Sequence, residues 1–377
     1  MSIRRIKALA KKEFIQMSRD VRSLMGALFI PLLMIFLFGY ALSLDVDRIP
    51  MVVLDRDETP VSRDLIHRLT DSRYFSLARP MKTDREIDDV LARGEALMAI
   101  VIPGDFASSV KKGHPVSVQV IFDGSDSNTA TIAMGYLRAV IAGFDLGIQE
   151  KRLQRAGLKM VDMPLEGRVR VWFNPQLKSR NFIIPGLTGV IMMAICALMT
   201  ALSVSREKET GTLEQLISTP ISSMELLLGK LLPYVMVGLV DLALVVGAGV
   251  LIFGVPFRGS YLQLLLISLV FLTGTLSWGL FVSVISKSQL QASQIAVLSA
   301  FLPSFLLSGF IYPIENMPVA LQVITFIVPA RYFVEILKGL FLQGVGFSVL
   351  WPQVLALVIY AVVIFNLARR KFSMRIA

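Results

Sequence analysis

The sequence predicts a mainly α membrane protein: six transmembrane helices, with an α/β extracytoplasmic domain inserted between the first and second spans. Three observations carry this. Of the 377 residues, 54% are hydrophobic and only 18% charged, against about 45–50% and about 25% in soluble domains; the mean hydropathy is +0.66. Several uncharged runs reach the roughly 20 residues that a bilayer-crossing helix needs. The net charge of +10 is concentrated beside those runs. This composition excludes a disordered or collagen-like chain and argues against an ordinary cytosolic enzyme.

Residues 1–23 read as an amphipathic interfacial helix. Ile3, Ile6, Ala10, Phe14, Met17 and Val21 recur at steps of three or four, while Arg4, Lys7, Lys11 and Arg22 lie largely elsewhere on the wheel. Such a helix lies in the headgroup plane. Ser23–Leu44 is uncharged and predicts a first span at 24–44. Ala41-Leu42-Ser43 resembles a signal-peptide cleavage site, but a secretory apolar region is about 7–15 residues long. The run is longer, so an uncleaved anchor is expected.

Residues 45–180 hold 20 basic and 19 acidic residues and read as a folded domain. Strand-like runs at Met51–Leu54, Phe75–Ala78, Leu97–Ile102, Val116–Phe122 and Val169–Phe173 alternate with helical stretches near 60–71, 83–93, 105–112 and 127–156. That alternation favours a sheet covered by helices. Asp123-Gly124-Ser125-Asp126 predicts a turn leading into the longest helix. His67 and His114 are too few and too isolated for a metal site. With no Gly-rich phosphate loop and no Ser/His/Asp arrangement, the domain reads as a binding or docking module.

Residues 181–377 predict five further spans. Phe182–Ser205, Gly259–Ser286, Ser288–Ile314 and Gly339–Ala368 carry no charge, and Leu231–Phe257 carries one, Asp241. The expected cores are 182–204, 228–253, 261–285, 294–312 and 349–367. Six spans return the C-terminus to the side of the N-terminus, and both ends are basic: seven Lys and Arg stand against two acids in residues 1–44, and Arg369, Arg370, Lys371 and Arg375 close the chain. By the positive-inside rule both termini are cytoplasmic, which places 45–180 outside. The basic clusters lack the interleaved aromatics of a nucleic-acid platform, and the lone Cys196 has no intramolecular partner.

No GxxxxGK[ST] phosphate loop occurs, since Gly229-Lys230 is followed by leucine. Active transport therefore needs a partner subunit or an ion gradient. The stretch 205–220 predicts a short amphipathic helix facing the cytosol, with Thr210, Leu213, Leu216 and Ile217 on one face, Glu207, Glu209 and Glu214 around it, and Pro220 at its end. Ser222 and Glu225 have capping-box spacing for the third span. An ionisable group at the middle of a span costs about 2.5–3.5 kcal/mol on insertion scales. Asp241 is thus either a group that contacts substrate or a proton, or a carboxylate bonded to a neighbouring helix. Ala197, Ala201 and Ser205, four residues apart, let two spans approach closely; Pro185, Gly186 and Pro233 mark kinks.

The run Arg206-Glu-Lys-Glu-Thr-Gly-Thr-Leu-Glu-Gln-Leu resembles the coupling-helix segment of type-2 permeases of ATP-binding-cassette (ABC) transporters. Leu307-Ser-Gly-Phe-Ile-Tyr-Pro-Ile-Glu-Asn-Met-Pro, Ile327-Val-Pro-Ala-Arg-Tyr-Phe and Leu337-Lys-Gly-Leu-Phe-Leu-Gln-Gly are similar to later segments of that family. The resemblance covers the whole chain and points to the exporter branch with a large external insertion. It implies a permease subunit without catalytic or metal residues or a cofactor of its own. Two such chains, identical or paralogous, pair in the membrane, and separate ATPase subunits bind ATP and Mg. It implies ATPase contacts at Arg206, Glu207, Glu209, Thr210, Gly211 and Glu214. It also implies a re-entrant external segment at 313–342, with helices near 316–328 and 330–342, containing Pro313, Glu315, Pro318, Pro329 and Arg331. Further implications are an amphiphilic or hydrophobic cargo such as a drug or lipid, a Gram-negative inner membrane, and work beside a periplasmic adaptor and an outer-membrane channel. Two rival readings fit less well. A gradient-driven secondary transporter would show more intramembrane ionisable groups than Asp241 and often an internal repeat. A membrane anchor or signalling protein would leave the coupling-like loop without a purpose.

Overall fold

The computed structural model describes residues 2–41, 48–72, 74–125, 127–155, 172–174, 178–217, 219 and 221–376. The chain divides into two compact units. Leu44–Arg170 form one, and Met1–Ser43 with Val171–Ala377 form the other.

The second of these, the membrane unit, begins with α1 (Ile3–Arg19) and α2 (Val21–Ala41). The buried face of α1 runs through Ile6, Leu9, Glu13 and Met17. Of the predicted apolar stripe, Ile3 and Phe14, with Val21 at the start of α2, are exposed, while the Glu13 carboxylate points inward. Glu13 there bonds the buried Lys230 of the third span.

The inserted unit is a four-stranded sheet covered by helices. In chain order it comprises β1 (Ile49–Asp55), α3 (Pro60–Asp71), β2 (Phe75–Pro80), α4 (Asp84–Ala92), β3 (Met98–Ile102), α5 (Phe106–Lys112), β4 (Gln119–Phe122) and α6 (Ser127–Arg155). The sheet order is β2-β1-β3-β4, with β1 parallel to both β2 and β3 and β4 antiparallel to β3. The period of two along β1 sorts its side chains between two cores. Ile49, Met51 and Val53 pack with Leu65, Phe106 and Leu137 from α3, α5 and α6, while Val52 and Leu54 pack with Ile87 and Val90 from α4. Thr59 and Ser62 form a reciprocal capping box at the start of α3, with Pro60 in its first turn. Asp123 Oδ1 accepts from the Ser125 amide at 2.9 Å in the expected turn before α6; Asp126 lies outside the described residues. Of the fifth expected strand, 169–171 lie outside the described residues, and Trp172 and Phe173 form no strand.

The remaining helices complete the membrane unit: α7 (Ser179–Glu209), α8 (Thr212–Ile217), α9 (Ser223–Leu251), α10 (Tyr261–Ile285), α11 (Gln289–Ala296), α12 (Leu302–Leu307), α13 (Val319–Thr325), α14 (Pro329–Lys338) and α15 (Phe347–Ile376). A π-helical turn, Val297–Phe301, joins α11 to α12. Among the described residues, seven helical stretches are long and apolar enough to cross a membrane, where the sequence predicts six. The additional one is Thr129–Gln149 in α6, whose Ala133, Leu137 and Phe144 are buried against the sheet.

α7 is the central pillar, buried along Ile183–Met193 and packed against α2, α9, α10 and α14. Pro185 and Pro233 sit inside unbroken helices. The small-residue stripe faces α10. Ser205 and Ser283 hydroxyls meet at 2.9 Å, and a Cβ on Gly279 would lie 2.2 Å from the Ala197 carbonyl oxygen. Where the sequence expects helices near 316–328 and 330–342 the chain forms α13 and the longer piece Pro329–Gln343, bent by 84° where they meet. Prolines punctuate them: Pro313 precedes the 3-10 turn Ile314–Asn316, Pro318 caps α13, and Pro329 opens α14.

Candidate functional site

The C-terminal end of α7, the N-terminal ends of α9 and α11, and the length of α1 meet at one end of the membrane unit. α7 stops because Gly211 takes φ +72°, a left-handed conformation that a β-carbon disfavours. Before it, the Thr210 hydroxyl donates to the Arg206 carbonyl at 3.0 Å. After it, α8 is a separate six-residue helix. The helix expected over 205–220 is therefore two pieces: Arg206, Glu207 and Glu209 belong to the span, and only Thr212–Ile217 form the short helix. Ser218 and Pro220 lie outside the described residues. α9 then starts on the predicted capping box: Glu225 N–H donates to Ser222 Oγ at 3.3 Å, and Ser222 N–H donates to Glu225 Oε2 at 3.0 Å.

Four charges fasten these elements together. Lys230, on α9, is fully buried and donates from Nζ to Glu13 Oε1 at 2.8 Å and to Glu207 Oε2 at 2.5 Å. Lys12 donates to Glu207 Oε1 at 2.5 Å and to Glu13 Oε1 at 3.2 Å. Two cations and two carboxylates make a neutral cluster that joins α1, α7 and α9. Neutrality is what makes it tolerable, because a buried charge without a partner is expensive. Half-burial of Lys12 works against its charge, yet its bonds to Glu207 and the nearby Glu13 carboxylate hold its pKa above the ordinary lysine value.

Four further bonds extend the frame. Arg206 pairs with Asp20 at the α1–α2 junction. Glu209 accepts from the Gln289 amide at 2.7 Å and from its side chain. Lys208 Nζ donates to the Ser286 carbonyl at 2.7 Å. Glu225 is shared in the same way: it accepts from the Ser2 amide at 2.5 Å and faces Arg5 at 3.7 Å.

The structure thus gathers Arg206, Glu207, Glu209, Thr210 and Gly211 at one place. Arg206, Glu209 and Thr210 are exposed, and Glu207 is only 1% exposed. Glu207 corrects the sequence reading: both its oxygens are used by Lys12 and Lys230, so it faces inward and has no surface to offer a partner. Glu214 lies on α8, and its side chain is outside the described ones. Lys12, Glu13, Asp20 and Lys230 escaped the sequence reading. The available signal was charge out of place: Glu13 and Asp20 are the only acids in residues 1–44, and Lys230 stands in an apolar helix.

The other predicted residues lie apart from this platform. Asp241 is 2% exposed on α9, and its Oδ1 has no hydrogen-bond partner among the described residues. One turn earlier, Gly238 lets α9 close on Leu272 and Cys196. In the bent pair, Arg331 bonds Thr325 Oγ1 and stacks over Phe326 at 4.1 Å. Glu315 is exposed, and its carbonyl accepts from Gln322 Nε2 at 3.4 Å. Lys338 donates to the Gly309 carbonyl at 2.8 Å and lies 3.7 Å from the centre of the Phe182 ring.

Residues 22–370 match the family described as ABC-2 family transporter protein. The chain is 40% identical over 377 residues to a protein of Escherichia coli K12 named "Probable multidrug ABC transporter permease YbhS", covering all of this chain and 98% of that one. It is 30% identical over 368 residues to the "Inner membrane transport permease YhhJ" of the same organism, covering 94% and 95%. It is also 22% identical over 345 residues to "ABC transporter G family member 20" of Dictyostelium discoideum, covering 90% of this chain and 46% of that one.

Proposed function

Since the chain belongs to the ABC-2 family of transporter permeases, we propose that it is the membrane subunit of an ATP-driven exporter. A separate ATPase binds ATP and Mg and drives amphiphilic or hydrophobic molecules outward. The observation that carries this reading is the hinge at Gly211, where a short helix hangs from a pillar that ion pairs fasten to α1 and α9 and hydrogen bonds to α11. A force applied at α8 reaches three helices together. Glu209, Thr210 and Gly211, with Glu214 on α8, are the surface the ATPase meets. Arg206 and Glu207 are the frame behind it.

The basic α1 and the Arg369-Arg370-Lys371 cluster near the end of α15 support cytoplasmic termini by the positive-inside rule. The inserted α/β unit is then extracytoplasmic, on six spans. The bent pair α13–α14 closes the outer end of the path, with Pro313, Pro318 and Pro329 shaping the break and Arg331 holding it. Two permease chains, identical or paralogous, make the pathway. The α/β unit is the docking module for a periplasmic adaptor that leads to an outer-membrane channel. The names of the Escherichia coli relatives favour a bacterial inner membrane and a drug-like cargo.

Purification of the tagged chain in mild detergent from its host, with mass spectrometry of what co-elutes, is expected to recover an ATP-binding subunit. Its absence under conditions that keep control transporters intact would overturn the reading. Gly211→Val is expected to leave the membrane helices folded while export falls, because the hinge can no longer take its left-handed turn.

Asp241 is the pathway residue. A buried polar atom without a partner destabilises by about 1–3 kcal/mol, so Asp241→Leu is expected to raise the melting temperature in detergent and to abolish export. Export at the unsubstituted rate would remove Asp241 from the path.

A further inference from the structure

A cleft of about 220 Å³ lies between the α1–α2 junction and the facing sides of α7 and α9. Its wall changes character along its length. At one end stand Asp20, Arg206 and Ser203; at the other, Leu24 and Ile30 of α2 face Leu198 and Leu202 of α7. Both ends reach the surface, since the Arg206 side chain is 44% exposed and Ile30 is 42% exposed. Gly26 keeps the wall open: a Cβ there would meet nothing closer than the Ile30 Cδ1 at 3.9 Å.

We propose that this cleft binds a zwitterionic phospholipid, its ammonium held by Asp20, its phosphate by Arg206, and one acyl chain laid between α2 and α7. Three features select this occupant. The polar end carries one acid and one base already paired with each other, so a headgroup carrying both charges satisfies them together, while an anionic one leaves Asp20 opposed. The volume falls below the roughly 300–1,000 Å³ of sites for drug-sized ligands and suits a single chain. The exposed apolar residues Ile3 and Phe14 of α1, with Val21 at the start of α2, seat this junction at headgroup depth, where the Asp20–Arg206 pair meets the lipid's own polar end. The site depends on the chain being embedded in a bilayer and not on its being an exporter.

The test is native mass spectrometry of the full chain, purified in mild detergent with equal amounts of phosphatidylethanolamine and phosphatidylglycerol. The chain is expected to retain phosphatidylethanolamine preferentially. Gly26→Leu projects into the cleft, its Cβ meeting nothing closer than 3.9 Å, and is expected to lower that retention about tenfold, the loss of roughly two buried methylenes. Gly247→Leu makes the same change on α9, where a Cβ meets nothing within 4 Å, and is expected to change nothing. Asp20→Asn is expected to shift the preference toward phosphatidylglycerol, a reversal that misfolding would not produce. Equal retention by Gly26→Leu and the unsubstituted chain, no preference between the two lipids, or an Asp20→Asn protein with unaltered selectivity would each overturn the site. No ATPase enters the assay, so its outcome is independent of the exporter reading.

Discussion

Lys230→Met is expected to be the most destabilising single substitution at the charged end of the membrane unit. Lys230 is completely buried and bonds both Glu13 and Glu207. Removing it leaves two carboxylates in an apolar surround with only Lys12 between them, and breaking a buried pair in this way typically costs about 3–5 kcal/mol. Thermal denaturation in detergent is expected to show a large fall in melting temperature. Adding Glu13→Gln to Lys230→Met restores charge balance, leaving Lys12 facing Glu207 alone, and is expected to recover much of the loss. That coupling separates a charge effect from lost side-chain packing, which the second substitution would not repair. A double variant as unstable as the sum of the two singles would show that the cluster is not acting as a unit.

Gly279→Ala is expected to disrupt the contact between α7 and α10. A Cβ at this position would stand 2.0 Å from Thr200 Oγ1 and 2.2 Å from the Ala197 carbonyl oxygen, and one of those is backbone that cannot rotate away. Thr200 is further held by its own bond to the Leu276 carbonyl at 3.0 Å. Overpacking a close-fitting site costs about 1–3 kcal/mol and at times more; here the two pillars must separate, so the upper end is expected. Gly247→Ala is the matched control, since nothing lies within 4 Å of its added carbon. It should gain up to about 1 kcal/mol from helix propensity. Size-exclusion profiles and melting curves of the two variants read the difference. Equal behaviour would mean that α7 and α10 do not approach as closely as described.

The spans were legible because lipid imposes a strong rule on sequence: some twenty uncharged residues in a row. The sheet of the inserted unit was legible for a related reason. Two-sided burial of β1 demands Met51-Val-Val-Leu54 without interruption, and helical stretches separate that run from the next. The capping box at Ser222 depends on residues three apart and needs no distant partner. The platform was harder. Thr210 and Gly211 lie inside a plausible helical pattern, and only Gly211's left-handed backbone divides it. That division moved Glu207 from the short helix to the end of the pillar and from the surface to the interior.

Hydropathy, charge placement and local capping are read along the chain, so the sequence by itself determined that this is a multi-span membrane protein with a folded insertion. Tertiary structure alone decided which face of α1 is buried, that Lys12, Glu13, Glu207 and Lys230 neutralise one another with up to 217 positions of sequence between bonded partners, and that Asp20 and Arg206 frame a cleft. The physical reason is reach. An ion pair or a close helix contact acts over a few ångströms in space, and nothing in the local pattern around Glu13 or Lys230 records which opposite charge folding will bring to it.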